Sequence, residues 1–300
     1  MAIITRSAHP SDLWPGIKAH FGLKYDEYPA CWSKIFDQET SDKAYEKVIE
    51  ATGFGLAPVK SEGAPVTYDM TSEGYTTFFR PFVYSLGYIV TEEELEDNQY
   101  AYVSTGRSRQ LAFSMRTTAE IVHANILNLG FSASQPIGDG QPLFSATHPT
   151  GAGSASNLIT AADLSELSLE DGLKLMMQVR NSRGLNIAAR VKNLIVPTGE
   201  VFNAERILYS AGRSGTANND TNALMSLGSV PGIVVNPYLT DVDAWFLQTN
   251  VPEGFMSFWR RKVELQKDND FDTSNAKAKA SMRFAAGVGD WRAAFGSAGA

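Results

Sequence analysis

One cysteine, Cys31, and four histidines, His9, His20, His123 and His148, are all that this chain of 300 residues offers of the usual metal- and redox-active side chains. A lone cysteine excludes an intramolecular disulfide framework and any multi-cysteine zinc or iron–sulfur site. Beside Trp32 it reads as a small buried hydrophobe. No two histidines stand four apart, as a helical zinc site requires. No run approaches the ~18 apolar residues of a membrane span, and the opening Met1-Ala2-Ile3-Ile4-Thr5-Arg6 has no signal-peptide core. Positive charge is also scarce, with 26 basic against 33 acidic residues and a net charge of −7. Proteins that read nucleic acid tightly carry a basic surplus or stripe, because phosphate contacts supply most of their affinity. The longest basic run here, Arg260-Arg261-Lys262 between Trp259 and Val263, reads as a charged strand at a surface or interface.

What the chain does have is ordinary globular composition, 43% hydrophobic and 20% charged, in a β, α, mixed α/β, β order. Up to about residue 50 turn signals (His9-Pro10, Pro15-Gly16, Tyr28-Pro29) alternate with short apolar stretches. One helix is predicted over Asp42 to Ile49, on Ala44, Tyr45, Val48 and Ile49. Residues 52 to 91 are rich in Val, Thr, Tyr and Phe and punctuated by glycine. Val66 to Met70 alternates and Tyr75 to Tyr84 is strongly β-prone, which predicts a long two-stranded excursion turning around Thr71 to Gly74. Its aromatics call for a partner, because an isolated hairpin is marginal in water.

A long helix follows. Thr91 caps it, Glu92, Glu93 and Glu94 fill its positive end, and Leu111, Met115, Ala119, Val122, Ile126 and Leu129 form one stripe. Gly106 allows a break between 98 and 106, and Gly130 stops it. Residues 131 to 160 read as loop. Ser168 is expected to cap a helix ending near Gly184. A buried strand at Leu194 to Val196 precedes a helix at about Gly199 to Ala211 and a polar, mobile loop from Gly212 to Asn222. Strands are predicted at Gly232 to Asn236, Ala244 to Gln248, Met256 to Leu265, Lys279 to Ala286 and Asp290 to Ala294. This order is an α+β fold whose N- and C-terminal parts share one layer.

Chemistry is hard to find. His123 reads as a packed helix residue. His148, before Pro149 in a glycine-rich loop, reads as ordering that loop, since no carboxylate or nucleophile stands at a recognisable spacing from it; a hydrolase built on His148 and distant carboxylates is the enzymatic alternative. Asp268 to Asp272 begins like a calcium loop but has Thr273 and Lys279 where glycine and glutamate are required, so it reads as an acidic turn. No phosphate loop, dinucleotide fingerprint or nucleophile elbow occurs. No catalytic residue, metal or cofactor is expected. A loose arm, a long β excursion and polar loops belong instead to chains that gain stability by touching copies of themselves.

The segment order resembles the major capsid protein of tailed bacteriophages over nearly the whole chain, and most the major head subunit of Mu-like phages. The resemblance rests on Asp139-Gly140-Gln141-Pro142-Leu143-Phe144, Thr147-His148-Pro149 and Leu167-Ser168-Leu169-Glu170-Asp171. It continues in Leu194-Ile195-Val196-Pro197, in Phe255 to Arg261, and in strands carrying Arg283 and Trp291-Arg292. It implies an N-terminal arm (1–50), an extended β loop (51–91), a peripheral domain with a spine helix (92–154 and 251–300) and an axial domain (155–250). It implies hexamers and pentamers closing an icosahedral shell around double-stranded DNA, in the virion and, before assembly, in the host cytoplasm. The implied partners are other copies, a portal, a cement protein and packaged DNA held weakly, with no membrane. The chain starts directly with the arm, which implies a separate scaffolding protein or a leader outside this sequence. A shell of the same fold around other cargo is the alternative. The expected subunit contacts are Phe78, Phe79, Arg80, Phe82, Tyr84, Arg260 and Arg261, with the aromatics losing exposure mainly on assembly.

Overall fold

The computed structural model describes residues 10–91, 93, 100–212, 221–269 and 275–300. Most of the acidic turn after Thr91, the loop at 213–220 and the turn at 270–274 lie outside the described residues.

The first sheet has the order β1 (Asp37–Thr40), β10 (Phe255–Asn269), β11 (Ala276–Val288), β4 (Phe82–Val90). Residues from both ends of the chain therefore share one layer, as the sequence order predicts. The β1–β10 pair is parallel and the others are antiparallel. The helix α2 (Tyr100–Asn128) lies on this sheet, placing Leu111, Met115 and Ala119 in a core with Phe255, Trp259, Met282 and Phe284. It runs unbroken through Gly106, and Leu129, the last residue of the predicted stripe, is exposed.

The second sheet has the order β12 (Ala294–Ser297), β9 (Trp245–Thr249), β7 (Val191–Val196), β8 (Ile233–Val235). Leu194–Val196 and Trp245–Leu247 in its two central strands are apolar without alternation because both faces are covered there. Ile195 and Phe246 join the first core, whereas their neighbours Leu194, Val196, Trp245 and Leu247 enter a second core with the helices α3 (Glu166–Met177), α4 (Val201–Tyr209) and α5 (Ala223–Leu227). The period-two geometry of a strand thus feeds two cores from one sheet. Two short strands, β5 (His148–Thr150) and β6 (Gly153–Ala155), punctuate the stretch expected to be loop.

Several expectations are corrected. Residues 10–27 form a helix, α1 (Pro10–Glu27), despite Pro15-Gly16. Pro10 occupies the first helical position, where its missing N–H costs nothing, and Phe21 and Tyr25 are buried in the first core. The helix predicted over 42–49 is instead the strand β2 (Glu46–Ala51), which pairs antiparallel with β3 (Glu73–Phe79); long-range pairing overrides the local periodicity. Residues 66–70 form no strand, and the stretch 75–84 is two strands broken at Arg80-Pro81, since β3 and β4 belong to different sheets. The cap of α3 is Ser165, with Ser168 completing a capping box from inside, and the helix ends at Met177 rather than near Gly184. Residues 291–293 form a 3-10 turn, which moves the last strand to 294–297.

Candidate assembly surface

Among the described residues the β2–β3 ribbon has no third strand beside it. At its base Phe79 is 3% exposed, set edge-on to Phe258 with ring centroids 5.0 Å apart, in a small cluster with Met256, Ala285 and Val48. A Cβ on Gly287 would stand 2.8 Å from the Phe79 ring, so this seat depends on a glycine opposite it. Phe79 is therefore core within the single chain, against the expectation that it meets water until assembly. Phe78, on the other face, is 53% exposed and touched by Tyr45 at 5.8 Å, and Phe82, past Pro81, is 65% exposed. Arg80 is exposed. Tyr84 is half-buried on Phe284, centroids 5.1 Å apart, and burial pushes its phenol up.

These five side chains, Phe78, Phe79, Arg80, Phe82 and Tyr84, line one half-open groove of about 500 Å³ closed by α2 and β11. Arg260 and Arg261 stand elsewhere, on β10 between two register shifts at Trp259/Arg261 and Arg261/Glu264. Such irregularities bend and twist a strand. Arg260 donates to the Lys43 carbonyl.

Beyond the ribbon, residues 52–72 have no helix or strand, and Val59 at 99% and Tyr68 at 91% are among the most exposed apolar side chains described. This segment is tied down by polar contacts. Asp69 accepts from the Gly55 N–H at 2.8 Å and pairs with Arg183 at 2.8 Å. The Gly55 N–H and then that of Met70 hold its carboxyl below the usual range, with Arg183 adding to them.

The ribbon's root is fastened by groups whose meeting no local pattern in the sequence marks. Arg292 donates to Glu50 at 2.9 Å, to Asp290 at 3.0 Å and to the Arg180 carbonyl at 3.0 Å, and Ser182 donates to Glu50. The Tyr75 hydroxyl reaches Asp290 at 3.3 Å. Burial holds the Asp290 carboxyl above its ordinary range, with Arg292 opposing; burial followed by Asp290 pushes the Tyr75 phenol well up. The only sequence signal was Asp290-Trp291-Arg292, two charges flanking a tryptophan.

His123 is packed, as expected. It is stacked against Trp32 at 4.4 Å and Phe284 at 5.1 Å, with Nδ1 on the Ala119 carbonyl and Nε2 on Ser257. Burial drives it down to about 4. His148 does order its loop, but a carboxylate is paired with it: Asp139 Oδ2 is 2.6 Å from Nδ1, and Asn157 Oδ1 is 3.0 Å from Nε2. Both ring nitrogens are engaged and the side chain is 0% exposed, so a substrate meets no free imidazole nitrogen. Among the described residues no group of His, Cys, Asp and Glu could hold a metal ion, and no helix is long and apolar enough to cross a membrane.

A family model described as phage capsid protein matches residues 74–296. The chain belongs to the phage capsid protein family. No curated protein matches this capsid protein. Solved structures do. One from Mycobacterium phage Patience aligns at a TM-score of 0.55 and 12% identity, covering 98% of this chain and 88% of that one. The capsid of Myoviridae phage XM1 aligns at 0.53 and 15%, covering 89% of each. A virus-like particle from Pyrococcus furiosus aligns at 0.54 and 11%, covering 95% and 99%. At such identities the likeness shows the α+β fold of these subunits, while the family match makes the capsid protein a shell-forming structural protein.

Proposed function

We propose that this capsid protein is the major head subunit of a tailed phage, akin to the Mu-like subunits, and that it assembles as hexamers and pentamers into an icosahedral shell around double-stranded DNA. In this reading residues 1–50 act as arm, 51–91 as β loop, 92–154 with 251–300 as peripheral domain and 155–250 as axial domain. Its role is non-enzymatic. A scaffolding protein, portal and cement protein complete the particle, which forms in the host cytoplasm. A net charge of −7 suits a wall that must not trap DNA.

The observation that carries this reading is the segment 52–72 with Phe78 of the ribbon, whose large apolar side chains Phe54, Leu56, Val59, Val66, Tyr68 and Met70 are exposed among the described residues. A soluble monomer rarely leaves so much apolar surface open without an interaction to use it. The groove bearing Phe78, Arg80, Phe82 and Tyr84 offers a second copy a matching apolar recess. Negative-stain microscopy of the expressed protein tests it: closed particles with hexameric and pentameric units are expected. A compact monomer under every assembly condition, with residues 52–91 protected from protease, overturns it. The nucleic-acid content of the particles separates a genome container from a shell with other cargo.

A further inference from the structure

The edge of a β-sheet is a template for a further strand, and proteins blunt their edges with charge, proline, shortness or cover. Most edges here are blunted. β1 reads Asp37-Gln38-Glu39-Thr40 and carries two carboxylates. β8 has three residues. β12 is covered by Ile159, whose N–H donates to the Gly296 carbonyl at 2.9 Å. In the ribbon, β2 carries Glu46, Lys47 and Glu50, and β3 begins at Glu73 and has Gly138 packed on Thr76. β4 is different. Its nine residues hold no charge and no proline and pair with β11 without a register shift. They meet no strand on their other side among the described residues. Phe82, Val83, Leu86 and Ile89 are exposed along it. Arg107 donates to the Ile89 carbonyl at 3.0 Å, so an added strand belongs nearer Phe82.

The same chain holds a strand without a sheet. Residues 64–72 run without turn or bend into β3, and Val66-Thr67-Tyr68-Asp69-Met70 alternates as a strand does. From Pro65 to Asp69 no main-chain N–H or carbonyl bonds to another main-chain group among the described residues. One face of this segment is held by Asp69, through the Gly55 N–H and Arg183. Val66, Tyr68 and Met70 alternate with Asp69 and are exposed. The segment cannot reach β4 of its own chain, because the seven residues of β3 hold the two roughly 20 Å apart.

We propose that residues 66–70 of one copy add to the β4 edge of a second copy, as a fifth strand of its first sheet. This rests on the shell-forming reading and names a contact within it. Main-chain hydrogen bonds supply the pairing, and alternate side chains supply the fit. Val66, Tyr68 and Met70 then lie beside Phe82 and Leu86, which share the α2 side of the sheet with Phe284 and Ala280. Asp69 takes the other face, where Lys279 stands exposed opposite Gly87.

A proline scan tests the pairing. Along an added strand alternate N–H groups face the neighbour, so Thr67→Pro must differ from Val66→Pro and Tyr68→Pro. Each is compared with alanine at the same position, which removes the side chain but keeps the N–H. On one parity particle yield is expected to fall about tenfold below the alanine variant, and on the other to stay within about twofold of it. Equal effects at all three positions, or none, overturn the proposal. Hydrogen exchange of the wild-type full chain decides alone should a proline variant fail to fold. On assembly, peptides covering 64–72 and 82–90 are both expected to exchange at least about tenfold more slowly; protection of 64–72 with β4 unchanged overturns the pairing. Particles with an unprotected β4 refute the pairing and leave the shell standing, whereas a protected β4 in an open oligomer does the reverse. A chain that stays single at every concentration overturns both.

Discussion

Two antiparallel ribbons are built in this molecule by opposite means. The β10–β11 ribbon is long, is flanked by β1 on one side and β4 on the other, and is roofed by α2. Among the described residues the β2–β3 ribbon has no flanking strand, and its Phe78 faces water while Val48 and Tyr75 are only half-buried. The first is held by hydrophobic burial and packing, which is non-directional and cumulative. The second is held at its root by one guanidinium serving two carboxylates and a hydroxyl, which is directional and depends on every partner. On the proposed reading the ribbon meets a neighbour and leaves apolar surface open for it, so polar fastening helps set its position instead.

Phe284→Ala should separate the two most sharply. This β11 side chain is 0% exposed and lies against Trp259, His123 and Tyr84. Its loss is expected to cost about 4 kcal/mol in urea unfolding. Next comes Arg292→Met, which leaves the partly buried Glu50 and Asp290 without their cation; about 3 kcal/mol is expected, with faster proteolysis at 52–72. If the ribbon stays protected in that variant, its root is not what holds it.

The third test uses acid. His123 titrates at about 4 when folded and near 6.5 when unfolded, so the unfolded chain binds the proton first. Stability is full above about pH 6.5 and falls as pH drops toward 4, by up to about 3 kcal/mol. His123→Gln should lack that share of the slope. The comparison isolates it, because burial raises Glu120 and Asp290, and their response has the opposite sign. The smallest effect on folding is expected from Phe78→Ala, within about 0.5 kcal/mol. Particle yield should nevertheless fall. An unchanged yield would make Phe78 a bystander.

The first sheet was legible because Phe255 to Trp259 and Ala280 to Phe284 are long β-prone runs, and α2 because Leu111, Met115 and Ala119 keep one face. The buried strands at Leu194 and Trp245 were legible because a strand covered on both faces must be apolar throughout. Residues 42–51 were not legible: Tyr45, Val48 and Ile49 suit a helix, and only distant β3 decides otherwise. Val66, Tyr68 and Met70 alternate correctly but have no strand to pair with. Phe82 and Arg80 stand out from local composition, and the structure leaves both exposed on the groove. The cluster of Glu50, Ser182, Asp290 and Arg292 was missed because these residues meet only through the fold.

Because β7 and β9 send successive side chains into different cores, the two cores are joined through one sheet. In the proposed shell, a tug on the ribbon by an adjoining copy acts like a pull on a lever bolted to that sheet through Arg292, just ahead of β12. Whatever bending the lattice demands must be absorbed at the few ionic fasteners where that lever is attached.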